Sequence, residues 1–257
     1  MENIFFVSMM RSGHHAVLNW YSRNQFQPIR HFNDCRILSG VIIPDPPNLT
    51  MFYNGHENKY LLNESHQNHD EWIKISRKTI YSFEERDQEY IEEAANIVHP
   101  QKIIYVVRDP INFIASCLKH AEKYPQVEQK LIGQMRKRLA IWKNHALKLE
   151  EKQTANHSAI NFNLWFQHRS YRDNLARLHG FVNQDLGVNE VMLFGKGSSF
   201  DDLQYATDAT KMNVLSRWET YQQNPNFRSF ISQELTEIAE RLFGVTYSVA
   251  EPPLPLN

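Results

Sequence analysis

The sequence predicts an α/β fold: a central parallel sheet flanked by helices on both faces. Three observations carry this. Ile4-Phe5-Phe6-Val7-Ser8 and Ile103-Ile104-Tyr105-Val106-Val107 are short apolar runs rich in β-branched and aromatic residues, the pattern of strands buried on both faces. Each run turns directly into a segment of helical periodicity, Ala16-Val17-Leu18-Asn19-Trp20 after the first and Ile111, Ile114, Ala115 and Leu118 after the second. The alternation then continues along the chain, and strands alternating with helices form parallel sheets.

Taken in order, residues 4–8 predict a strand and 13–23 a helix. Residues 28–58 predict irregular structure, because Pro44, Pro46 and Pro47 forbid a long element there. Lys59-Tyr60-Leu61-Leu62-Asn63 predicts a short strand, and Asp87, Tyr90, Ile91, Ala94, Ala95 and Val98 an amphipathic helix over 87–98. The 103–107 strand ends in Arg108-Asp109-Pro110, where Asp109 suits a helix cap and Pro110 a first-turn position. A long charged helix is expected over 126–150, a strand over 157–162 with helix to about 179, and helices over 211–223 and 228–243. Gly244 suits the residue just past the last helix, and the run Pro252-Pro253-Leu254-Pro255 a tail. No repeat or low-complexity linker divides the chain, so residues 1–257 read as a single domain.

Composition bounds the function. The 257 residues are 42% hydrophobic and 22% charged, enough for a sizeable core. A net charge of −1 gives no global attraction to nucleic acid or to an anionic membrane, so neither is expected as a partner and any anion site must be local. The two cysteines, Cys35 and Cys117, form no disulfide or zinc framework. No apolar stretch approaches the roughly 20 residues of a membrane span, and no signal peptide is recognised, so the expected compartment is the cytoplasm.

The chemistry starts at Arg11-Ser12-Gly13-His14-His15. A strand that turns through such a segment into a helix aims backbone N–H groups and a positive helix end at one point, a cradle for phosphate or sulfate. Arg108 stands at the carboxyl end of another strand, where open α/β sheets bind ligands, and Ser116 lies two turns into the following helix. The first turn lacks the G-x-x-x-x-G-K-[ST] pattern, which counts against nucleotide hydrolysis.

With these motifs the chain resembles the sulfotransferase superfamily, whose fold is a three-layer, P-loop-like α/β arrangement. The resemblance implies that Arg11, Ser12 and Gly13 bind the 5′-phosphosulfate of 3′-phosphoadenosine-5′-phosphosulfate (PAPS), the sulfuryl donor. It implies that Arg108 and Ser116, eight residues apart, bind the 3′-phosphate. Gly195-Lys196-Gly197-Ser198-Ser199 resembles the basic loop that closes over that phosphate, and Phe162 would sit near the adenine. The chain departs from the family at three positions. His14 and His15 stand where hydroxyl residues usually follow the glycine, and Ala16 stands where many members place a tryptophan; Trp20 is one turn further on.

Sulfuryl transfer requires charge stabilisation on the leaving phosphate oxygen and a base for the acceptor. Arg11 is the candidate for the first role. Glu64 and His66, after the predicted 59–63 strand, are the leading candidates for the base, with His69 and Asp34 behind them. Adjacent helical residues point to different faces, so at most one of His14 and His15 is expected to line the site. Glu64, His66, His69 and Asp70 also form a loose metal-ligand cluster, but their spacing matches no metal motif and no metal is expected. The expected activity is PAPS-dependent transfer to a hydroxyl or amine of a carbohydrate or small metabolite. The alternatives are a nucleotide-dependent phosphotransferase and a non-catalytic module that binds a nucleotide or sulfated glycan. Nothing in the pattern specifies an oligomeric state.

Overall fold

The computed structural model describes residues 1–25, 27–44, 48–53, 56–61, 76–123, 125–191 and 208–247. The strands are β1 (Glu2–Ser8), β2 (Ile29–Phe32), β3 (Cys35–Leu38), β4 (Val41–Pro44), β5 (Asn48–Tyr53), β6 (His56–Leu61), β7 (Lys78–Glu84), β8 (Lys102–Val107) and β9 (His157–Asn161). The helices are α1 (His14–Arg23), α2 (Gln88–Val98), α3 (Pro110–Lys123), α4 (Pro125–Leu147), α5 (Phe162–Gln167), α6 (Arg169–His179), α7 (Pro225–Phe230) and α8 (Gln233–Phe243). Among the described residues the main sheet runs β6-β5-β2-β7-β1-β8-β9, with β3 and β4 forming a separate hairpin.

The five strands β2, β7, β1, β8 and β9 are mutually parallel, and β5 and β6 extend the sheet antiparallel at one edge. The central strand β1 shows why three layers form. Its side chains alternate across the sheet: Phe5 and Val7 join one core with residues of α2, α3, α4, α7 and α8, while Ile4 and Phe6 join the other with residues of α1, α5 and α6. Trp20 is fully buried in the second core, its indole N–H donating to Asn183 Oδ1 at 2.8 Å and its ring edge-on to Trp165 and Phe181.

Several elements differ from expectation, each for a physical reason. The irregular segment expected over 28–58 contains β2 to β5 and the start of β6. These strands are held by non-local pairing, β2 lying between β5 and β7 in the sheet. Ser39 and Gly40 both take positive φ, 51° and 75°, which makes the tight β3–β4 turn, and Pro44 ends β4 rather than interrupting it. The short strand expected over 59–63 is the end of β6, with residues 62 and 63 outside the described residues. β7 carries Thr79 and Ser82 inside its apolar run, so its sequence does not read as a buried strand.

The strand expected over 157–162 stops at Asn161, whose side chain accepts from Leu164 N at 3.1 Å and starts α5. The helix expected to run on to 179 is broken at His168, which is extended at φ −121°. No α-helix spans 211–223. Two 3₁₀ turns stand there, Ala209–Lys211 and Arg217–Tyr221, because the intervening carbonyls of Val214 and Leu215 accept from Arg108 and Asn112 instead of from a following turn. The helix expected over 228–243 is divided at Ser232, which caps α8 through Leu235 N at 3.2 Å; α8 then ends at Gly244 with φ 64°, as its sequence predicts. The Lys196 and Gly197 loop, Glu64, His66, His69, Asp70 and the proline-rich tail lie outside the described residues. Among the described residues no helix is long and apolar enough to cross a membrane.

Candidate active site

Parallel pairing brings the carboxyl ends of five strands to one edge. Ser8 of β1 pairs with Glu84 of β7 on one side and Val106 of β8 on the other, so the loops that follow these strands share a single crevice. β1 leads across to β2 on one side while β8 and β9 lie on the other, the switch in direction that opens a ligand site in α/β sheets.

The first loop joins β1 to α1. Ser12 N donates to Met9 O at 3.1 Å, closing the turn, and α1 begins at His14 with its first N–H groups directed into the loop. Arg11 takes a left-handed φ of 71°, uncommon and costly for a bulky residue. Its guanidinium bonds the His120 ring on α3. Ser12 is buried and its hydroxyl finds no hydrogen-bond partner among the described residues, an orphan that an anion's oxygen would satisfy. Gly13 is required twice over. It has φ 82°, and a Cβ there would lie 2.3 Å from Phe162 Cε2. Gly13→Ala should therefore destabilise the fold by about 2–4 kcal/mol, from strained φ and overpacking together, read as a lower midpoint in urea unfolding.

A second cluster of polar and basic side chains surrounds the start of α3. Asp109 caps it, its carboxylate accepting from Asn112 N at 2.8 Å. Arg108 is 2% exposed, donates to Arg11 O at 3.3 Å and to Val214 O, and lies over the Phe162 ring at 5.5 Å. Its carbonyl accepts from the Trp142 indole at 2.9 Å, which fixes the backbone. Ser116 is buried about two turns into α3, and its hydroxyl accepts from Arg217 Nη1 at 3.3 Å. Arg217, which the sequence does not single out, is thus buried against Ser116. It falls inside the helix expected over 211–223. Phe162 forms the floor under Gly13 and beneath Arg108, stacked on Phe166 at 6.0 Å.

The β7 side of the crevice holds a group not singled out from the sequence. Glu84 ends β7 with 14% of its side chain exposed. His14 Nε2 lies 3.2 Å from Glu84 Oε1 and His15 Nε2 lies 4.0 Å from the same atom. Both imidazoles therefore face Glu84, His14 more closely than His15. They open the helix, where no preceding turn stands below them, and their rings tilt together at 3.9 Å. Burial, then Asp34 and Glu85, push the Glu84 carboxyl up to about 8. Burial, reinforced by His15 and His31, holds His14 well below the ordinary imidazole range. A polar chain continues behind them: His15 Nε2 to Asn33 Oδ1 at 2.9 Å, Ser82 Oγ to Asn33 Oδ1 at 3.3 Å, and His31 Nε2 to Ser82 Oγ at 3.0 Å. Asp34 pairs with Arg86 at 3.6 Å, and Glu85 with Arg138 at 2.9 Å.

Neither a protein-family model nor a curated protein sequence matches the chain. Solved structures do. A crystal structure of mouse sulfotransferase SULT7A1 complexed with PAP has a TM-score of 0.52 and 17% identity, covering 93% of this chain and 85% of that one. The sulfotransferase domain from the Synechococcus PCC 7002 olefin synthase has a TM-score of 0.53 and 12% identity, covering 96% of this chain and 98% of that one. The chain has the fold of these sulfotransferases, a parallel sheet flanked by helices.

Proposed function

We propose that this protein transfers a sulfuryl group from PAPS to a hydroxyl or amine of a carbohydrate or small metabolite. The observation that carries the reading is the convergence of three parts at one crevice: a cradle with an orphaned Ser12 hydroxyl, a buried Arg108–Ser116–Arg217 cluster, and a carboxyl group of raised pKa at Glu84. The fold is that of sulfotransferases, and PAP (adenosine 3′,5′-bisphosphate) is the ligand of one of them.

In this reading the backbone N–H groups of the loop and the Ser12 hydroxyl hold the 5′-phosphosulfate. Arg108, Ser116 and Arg217 hold the 3′-phosphate, with Lys196 and Gly197 closing over it. Arg11 neutralises the charge that grows on the oxygen linking sulfur to phosphate as that bond breaks. Glu84 takes the proton from the acceptor as its oxygen or nitrogen attacks. A carboxyl titrating near neutrality is matched to that task, and Glu84 stands beside the cradle on the neighbouring strand. His14 and His15 supply neutral ring N–H donors in place of the family's hydroxyls.

Arg108→Ala should weaken PAP binding by about ten-fold to a hundred-fold, the worth of a charge-assisted hydrogen bond. Arg108→Lys should recover part, since a point charge lacks the planar fork. Calorimetry reads both, and equal affinities for wild type and Arg108→Ala would remove Arg108 from the donor site. Incubation with ³⁵S-labelled PAPS and a panel of hydroxyl and amine acceptors tests turnover through label transfer and stoichiometric release of PAP.

A further inference from the structure

His14, His15 and Glu84 bring two imidazole nitrogens and a carboxylate oxygen within 4.8 Å of one another. We propose that these three residues form a binding site for a divalent transition-metal ion of the zinc class, and that its occupancy switches sulfuryl transfer off.

The geometry is that of ligands around a common point. Bonds of about 2.0–2.1 Å to a tetrahedral zinc place neighbouring ligand atoms about 3.3 Å apart. His14 Nε2 and Glu84 Oε1 are 3.2 Å apart, and His15 Nε2 is 4.0 Å from the same oxygen. At 3.2 Å the His14 ring nitrogen closes no hydrogen bond with the carboxylate, so the two atoms approach at an angle, as two donors to a third atom do. Asn33 Oδ1 accepts from His15 Nε2 at 2.9 Å, and metal binding would take the place of that hydrogen bond, moving the ring proton to Nδ1, with water completing the coordination.

The ligands are held by rigid elements: Glu84 is locked into the β1–β7 ladder opposite Ser8, and the histidines open α1, separated from the end of β1 by residues 9–13. Two nitrogens and one carboxylate oxygen suit zinc and its neighbours, whereas magnesium and calcium take oxygen ligands.

The switch rests on the reading of Glu84 as the base; the metal site does not. A carboxylate oxygen bound to a metal ion no longer accepts the acceptor's proton, so zinc is expected to inhibit.

Cobalt(II), a coloured stand-in for zinc, gives a test that needs no substrate. The full chain, freed of metal with a chelator, should bind one equivalent and develop the intense visible absorption of a four-coordinate site, which one equivalent of zinc then bleaches. Glu84→Gln and His15→Ala should each lower zinc affinity by at least about ten-fold. His15 is partly exposed, so its truncation spares the core, and thermal melts with chelator present check the folding of both variants. Magnesium should produce no bleaching. Absence of the cobalt band, or equal zinc affinity in wild type and both variants, would overturn the site. Micromolar zinc should also suppress label transfer from PAPS. Unchanged turnover at saturating zinc would overturn the switch, while an enzyme that fails to transfer sulfate without metal would count against the functional reading and leave the cobalt result standing.

Discussion

Replacing Glu84 with Gln should lower kcat by about 10²–10⁴-fold, the range expected for loss of a general base, while PAP binding changes little. The substitution keeps size and hydrogen-bonding capacity but removes the ability to accept a proton. Wild-type kcat/KM should rise with pH and level off above about 8, the value to which burial pushes the Glu84 carboxyl, because the base must be ionised to work. Stability should respond in the opposite sense. A carboxyl whose folded pKa is raised from 4.5 to about 8 favours the folded state below 4.5, and that contribution is lost as pH rises through 8. Glu84→Gln should therefore be more stable than wild type at pH 9, with the difference shrinking on acidification. Paired urea melts and pH–rate profiles read both effects. A pH-independent wild-type rate, or a variant with normal kcat, would assign the base elsewhere.

Arg11→Ala should reduce kcat by about 10²–10³, as for loss of a preorganised donor at a developing charge. PAP, which lacks the sulfuryl group, should bind nearly as well as before, since the contribution strengthens only as the bond breaks. Arg11→Lys should retain more activity than Arg11→Ala. The left-handed backbone at Arg11, φ 71°, adds a structural signature. Arg11→Gly should relieve strain and raise stability while still losing activity, a separation that a purely structural arginine would not show. Single-turnover kinetics with labelled PAPS and unfolding midpoints decide the matter.

The parts of the fold legible in the sequence are those fixed locally. β1, β8 and the helices after them announce themselves through apolar runs, the Gly13 turn and the Asp109–Pro110 start. What sequence reasoning missed depends on partners distant in the chain. β2 is four residues long and is stabilised by β5 and β7, and β7 hides buried Thr79 and Ser82 within its apolar pattern. The sequence points to the 59–70 region for the base; Glu84, at the carboxyl end of the strand that pairs with β1, carries no signal in its own segment. The double histidine was seen as a departure, yet its convergence on Glu84 arises from the open first turn of α1, which residue spacing along a regular helix does not capture. Arg217 was hidden for a similar reason: the carbonyls around it serve Arg108 and Asn112, and a helical pattern in sequence gives way to that tertiary demand.

The central claim is that the crevice recognises a nucleotide bearing both a 3′-phosphate and a 5′-anion. Calorimetric titration of the wild-type chain with PAP, AMP and magnesium ATP measures this directly. PAP should bind at least about ten-fold more tightly than either of the others, since only it satisfies the Arg108–Ser116–Arg217 cluster and the cradle together. Magnesium ATP binding as tightly as PAP, or better, would contradict the account.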